Sequence, residues 1–173
     1  GRPLAGNPQA SAYYPPNWLY PLLGSEYVIS WVLVAHHLFG GWGAYLLCRR
    51  YGFDWKAALL GGVVFLAAPY FVAQTAEGHY SQCTLAAWLP WALLCFERLR
   101  KGRRGSVPLM SLVLAMAFFC GHPQELYYLI VILTVFVLCD MLRRGEDVLP
   151  GKQLALSWGA AGLLTLGLVA IDK

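Results

Sequence analysis

The sequence predicts an all-α fold of the membrane class. About six transmembrane helices form a bundle, preceded by an extracytoplasmic loop with short interfacial helices. Three observations carry this expectation. Hydrophobic residues make up 58% of the 173-residue chain and mean hydropathy is +0.53, above the range of ordinary soluble domains. Only 13% of the residues are charged, and they cluster between apolar runs instead of spreading over amphipathic faces. Finally, the basic residues follow every second apolar run, as loops on one side of a membrane would.

Residues 1–25 form the first unit and residues 26–173, the bundle, the second. The opening stretch "GRPLAGNPQASAYYPPNWLYPLLG" is too broken by proline to span a bilayer. Its tyrosines and Trp18 suit a membrane–water interface, with a short helix expected near residues 16–23. The first apolar segment covers 27–48, with Ser25 as its expected N-cap. The second covers 57–73 and carries Pro69 near its end. The third covers 84–96. The fourth covers 107–120, with Ser106 as cap and Pro108 in the first turn. The fifth covers 126–142, with Pro123 in its first turn, and the sixth covers 154–171.

Eleven of the thirteen Lys and Arg residues follow the first, third and fifth segments; Arg2 and Lys173 are the exceptions. The positive-inside rule makes those three loops cytoplasmic. "ERLRKGRRG" is then a topology anchor and not a nucleic-acid site, so the expected partner is membrane lipid and no nucleic acid. Residues 1–25, "AEGHYSQC" and "CGHPQE" fall on the outer face. The chain starts at Gly1 and stops just after an apolar run, which reads as an internal piece of a longer protein.

Segment length bears on the outer loops. Fourteen residues, 107–120, rise about 21 Å as a helix, against roughly 30 Å of hydrocarbon. The third segment has a similarly short apolar part. If the outer ends of these two helices stop below the surface, Gly78-His79 and Gly121-His122 line a recessed cavity. A plainer reading stays open beside it. Gly121 is a C-cap, His122 an N-cap, Pro123 the first helical residue, and Gln124 and Glu125 occupy the dipole-favoured first turn.

His36 and His37 lie inside the first segment. Each is either a hydrogen-bonded packing residue or part of a functional path. The neighbouring "FGGWG" is a site of close helix approach. Neither a P-loop, HExxH nor GxSxG motif occurs. The five cysteines form no CxxC pair and read as small apolar residues; spacing alone does not establish a Cys83–Cys120 disulfide.

The order "PLAGNPQASAYYPPNWLYPLL", then "GAYLLCRRYG", then "GHYSQCTLAAWLPWALLCFERL" resembles bacterial YfhO-like membrane proteins, which are similar to the GT-C class of glycosyltransferases. The resemblance covers roughly residues 3–145. It implies an enzyme of the bacterial inner membrane that transfers sugar from a polyprenyl-phosphate carrier to an extracytoplasmic acceptor. It also implies an outer cavity roofed by the first outer loop, of which residues 1–25 would be the later part. Candidates to line that cavity are His79, His122, Gln124 and Glu125, with Asn7, Gln9 and Tyr14 from the loop.

The family's catalytic aspartate precedes such a segment. No Asp occurs here before Asp54, so the base is expected outside this sequence. Glu77, His79, His122 and Glu125 match no metal-site spacing, which leaves a divalent metal open and no metal ligand assigned. Two other roles stay in view: a transporter or flippase component using His36 and His37, and a non-catalytic assembly subunit.

Overall fold

The computed structural model describes residues 10–143 and 148–170, and every regular element among them is helical. A 3-10 turn, Pro15–Leu19, leads into the one-turn α1, Tyr20–Leu23. The long helices follow: α2 (Ser25–Arg50), α3 (Trp55–Leu66), α4 (Pro69–Ala76), α5 (Tyr80–Arg100), α6 (Ser106–Phe119), α7 (Pro123–Arg143) and α8 (Gly151–Val169).

Local chemistry explains the boundaries. Asp54 caps α3: its Oδ1 accepts from the backbone N–H of Lys56 (2.7 Å) and Ala57 (3.0 Å). The second apolar segment is two helices and not one. Ala68 precedes Pro69 and is held extended (ψ 130°), which stops α3 and lets Pro69 open α4. The third segment is longer than its apolar part. As helix it runs from Tyr80 to Arg100, about 30 Å, with Pro90 inside it. Caps shift by one residue at two starts. Gly24 (φ 82°) precedes α2 and Gly105 (φ 75°) precedes α6, so Ser25 and Ser106 are helical.

Three stretches are long and apolar enough to cross a membrane by length and composition: Tyr27–Arg50, Trp55–Ala76 and Pro123–Leu142. Helix α6 is apolar but has only 14 residues.

Helix α5 packs against α2, α4, α6, α7 and α8. The core runs through Leu85 and Phe96 of α5, Met110 and Leu114 of α6, Leu133 of α7 and Leu154 of α8. Backbones approach closely where glycines face each other. A Cβ on Gly62 would sit 2.8 Å from the Gly41 carbonyl oxygen, and one on Gly40 would sit 3.1 Å from Ala87 Cα. Outward faces stay apolar: Trp31 is 71% exposed, and Leu60, Val64, Leu112 and Leu163 are also bare. Uncovered apolar area on this scale marks a surface that contacts lipid or protein.

With α3 and α4 counted as one pass, successive helices run up and down, so the chain has two ends. One gathers residues 10–24, the α4–α5 turn and the α6–α7 turn; it is called the histidine end. At the other, the arginine end, Arg100 sits between Glu97 (3.0 Å) and Asp140 (2.7 Å). There Tyr51 Oη donates to Glu97 Oε1 at 3.3 Å, and Leu149 N–H donates to the Arg100 carbonyl at 2.7 Å. Partial burial and the Glu97 carboxylate raise the Tyr51 hydroxyl above its ordinary value.

Candidate functional site at the histidine end

The stretch "GHPQE" builds the centre of this end. Gly121 takes φ 82°, the left-handed geometry that ends a helix and favours glycine. His122 is the N-cap of α7: its carbonyl accepts from Leu126 N–H (3.2 Å) and its Nδ1 faces Glu125 N–H at 3.4 Å. Pro123 then opens the helix. The backbone follows the capping account, while the side chains reach across to other helices. His122 Nε2 lies 2.9 Å from the Gln82 amide of α5. Glu125 Oε1 accepts from Tyr70 Oη of α4 at 3.1 Å. Gln124 stays local and donates to Tyr128 Oη at 2.8 Å on its own helix.

His79 ends the preceding turn. Its Nδ1 lies 2.6 Å from Gln74 Oε1 and 3.3 Å from Glu77 Oε2. Both partners precede it within five residues, so its bonding is local, unlike that of His122 and Glu125.

Tyr14 is the deepest of the expected cavity residues, with no exposed area. Its hydroxyl bonds His36 Nε2, and Trp88 Nε1–H donates to it at 2.9 Å. Asn17, beside it, accepts from Tyr80 Oη at 2.5 Å and donates to the Ser11 carbonyl at 2.9 Å. Ser11 takes φ 47°, unusual for a residue with a side chain. It is held there because its Oγ donates to the Cys120 carbonyl at 2.6 Å, satisfying the last turn of α6. Asn7 and Gln9 lie outside the described residues.

Of the two histidines of α2, His36 is 7% exposed and its Nδ1 donates to the Val32 carbonyl at 2.7 Å. His37 is half-buried, donates to the Leu33 carbonyl at 2.7 Å and packs its ring 4.5 Å from that of Phe71.

Beneath the Tyr70–Glu125 hydrogen bond lies a cavity of about 300 Å³. Phe65, Phe71, Leu89, Leu129 and Ile132 wall it, and Glu125 is the single carboxylate among its described lining residues. The five cysteines are free thiols, and Cys83 lies 3.6 Å from Thr75 Oγ1. Among the described residues no three His, Cys, Asp or Glu side chains converge as metal ligands.

No family model, curated protein or solved structure matches this chain. Tyr70, Gln82, Trp88 and Ser11 were not singled out by sequence, because each acts through a partner on another element. A signal did exist for the arginine-end cluster. Glu97 and Asp140 are acidic residues near helix C-termini, where the dipole disfavours them. Such placement calls for a cation, and Arg100 supplies it.

Proposed function

We propose that the chain is part of a multi-pass bacterial inner-membrane glycosyltransferase-like protein, with about six helical passes and the histidine end outward. In this reading the cavity under Glu125 and Tyr70 takes a lipid-linked sugar. The observation that carries it is the pairing of one carboxylate and one phenol with an aromatic and aliphatic pocket, at the edge of the bundle. A carboxylate and a hydroxyl bind sugar hydroxyls, and the apolar walls suit an isoprenoid or the apolar face of a sugar ring. The order of sequence motifs that resembles GT-C proteins supports the same reading.

The test is transfer from a polyprenyl-phosphate donor in membranes holding the full-length protein. Glu125→Gln and Tyr70→Phe should each lower transfer about tenfold, the loss of roughly one charge-assisted hydrogen bond, with membrane abundance unchanged. Thr134→Ala, which removes a hydroxyl bonded only to its own helix, should leave transfer intact. Full transfer by His122→Ala/Glu125→Ala would reduce these residues to helix caps and overturn the reading.

A second reading, a transporter or flippase component, is favoured by the break at Ala67–Ala68 between α3 and α4. Interrupted helices often line substrate paths in transporters. Movement of the lipid-linked sugar across proteoliposomes without transfer would favour it over the enzyme.

A further inference from the structure

A groove of about 1160 Å³ runs from the arginine end between α2 and α6, over α5. Its depth is apolar, with Phe39, Trp88, Leu112 and Met116 among its walls. Its mouth carries five guanidinium groups: Arg49, Arg50, Arg98, Arg103 and Arg104. All five are exposed. None pairs with a described carboxylate: Glu97 and Asp140 are taken by Arg100, and Asp54 caps α3. From Arg98 to Trp88 the groove follows about 15 Å of α5.

We propose that this groove binds an anionic phospholipid, with its phosphate among the arginines and an acyl chain along the apolar floor. The shape and charge select this occupant. Guanidinium groups grip phosphate through paired N–H bonds. Five positive charges at one mouth, none paired among the described residues, disfavour a zwitterionic headgroup and a purely apolar helix alike. Basic pockets between membrane helices are general sites for acidic headgroups. The inference rests on the membrane reading but not on sugar transfer, and it holds whichever way the bundle faces.

The experiment uses the full-length protein in detergent, with native mass spectrometry and thermal unfolding after adding defined lipid. Phosphatidylglycerol should remain bound and raise Tm by about 5 °C or more, whereas phosphatidylcholine should do neither. Glycerol phosphate, the headgroup without chains, should give less than half that shift; an equal shift would mean an anion site and overturn the lipid assignment. Arg98→Gln/Arg103→Gln should abolish retention, and Lys152→Gln, basic but outside the groove, should keep it. If the double variant fails to accumulate, Arg104→Gln, which lies in the α5–α6 turn, should still lower retention severalfold. Equal shifts with both phospholipids, equal loss in Lys152→Gln, or full retention in Arg104→Gln would overturn the proposal. So would a copurifying protein segment that excludes the lipid. Loss of sugar transfer in Glu125→Gln with lipid retained would separate this site from the one above.

Discussion

Tyr14 shows how one side chain can hold three parts of the chain. His36 Nδ1 faces a carbonyl and so carries the proton, which leaves Nε2 as an acceptor. The Tyr14 hydroxyl donates to that lone pair while accepting from Trp88. Burial pushes the Tyr14 hydroxyl far above its ordinary value, so it stays a donor. Tyr14→Phe would strand two buried polar groups, at about 1–3 kcal/mol each. The expected outcome is a marked fall in Tm in detergent, partly recovered by adding His36→Leu, which removes one stranded group. Full additivity of the two changes in a double-mutant cycle would speak against the contact. Sequence marked both residues but not their union. Tyr14 read as a cavity residue of the loop, and the 22 residues that separate it from His36 hold no periodic signal that would join them.

Among the helices, glycine placement decides how near they come. Gly62 faces the Gly41 carbonyl, a backbone atom that cannot rotate away, so Gly62→Ala should separate α2 from α3 at a cost of about 1–3 kcal/mol. Gly159 on α8 has open space where a Cβ would go, and Gly159→Ala should be neutral or stabilising by about 0.5–1 kcal/mol. Thermal melts of both variants in one detergent check the contrast. The apolar runs marked the cores of the long helices, since their boundaries are set by local residues such as Asp54, Pro69 and Pro123. The division of residues 57–73 at Ala68 is also local: Pro69 lay in plain view, but its weight as a helix breaker depends on whether tertiary neighbours compensate. In "GHPQE" the caps were legible because they need only neighbours in sequence. The reach of Glu125 to Tyr70 was not, because those residues stand 55 positions apart.

Taken whole, the bundle sorts its charge. Basic residues from three loops meet at one end, and the capped, proline-broken loops meet at the other. With the positive-inside rule this predicts a cytoplasmic arginine end. In a background without the five cysteines, Phe53→Cys should resist an impermeant thiol reagent applied to intact cells, and Gln124→Cys should react. Both positions are exposed, so the contrast reads sidedness and not burial. The reverse pattern would overturn the orientation. The charge alternation was fully visible in sequence because it depends on order alone. The central place of α5 was not, for its helix is less apolar than α3 or α6 and nothing local says that five helices surround it.

The bond from Ser11 Oγ to the Cys120 carbonyl also fixes an order of events. Ser11 leaves the ribosome 109 residues before its partner, which at common synthesis rates is about 5–20 s. Tyr14 waits similarly for Trp88, and Asn17 for Tyr80. Of the contacts that residues 10–19 make with the bundle, the Tyr14–His36 bond can close early, whereas these three wait until α5 and α6 have joined α2. Full docking of this segment is therefore a late step: a chain in which α5 or α6 is misplaced leaves Ser11, Tyr14 and Asn17 without these partners.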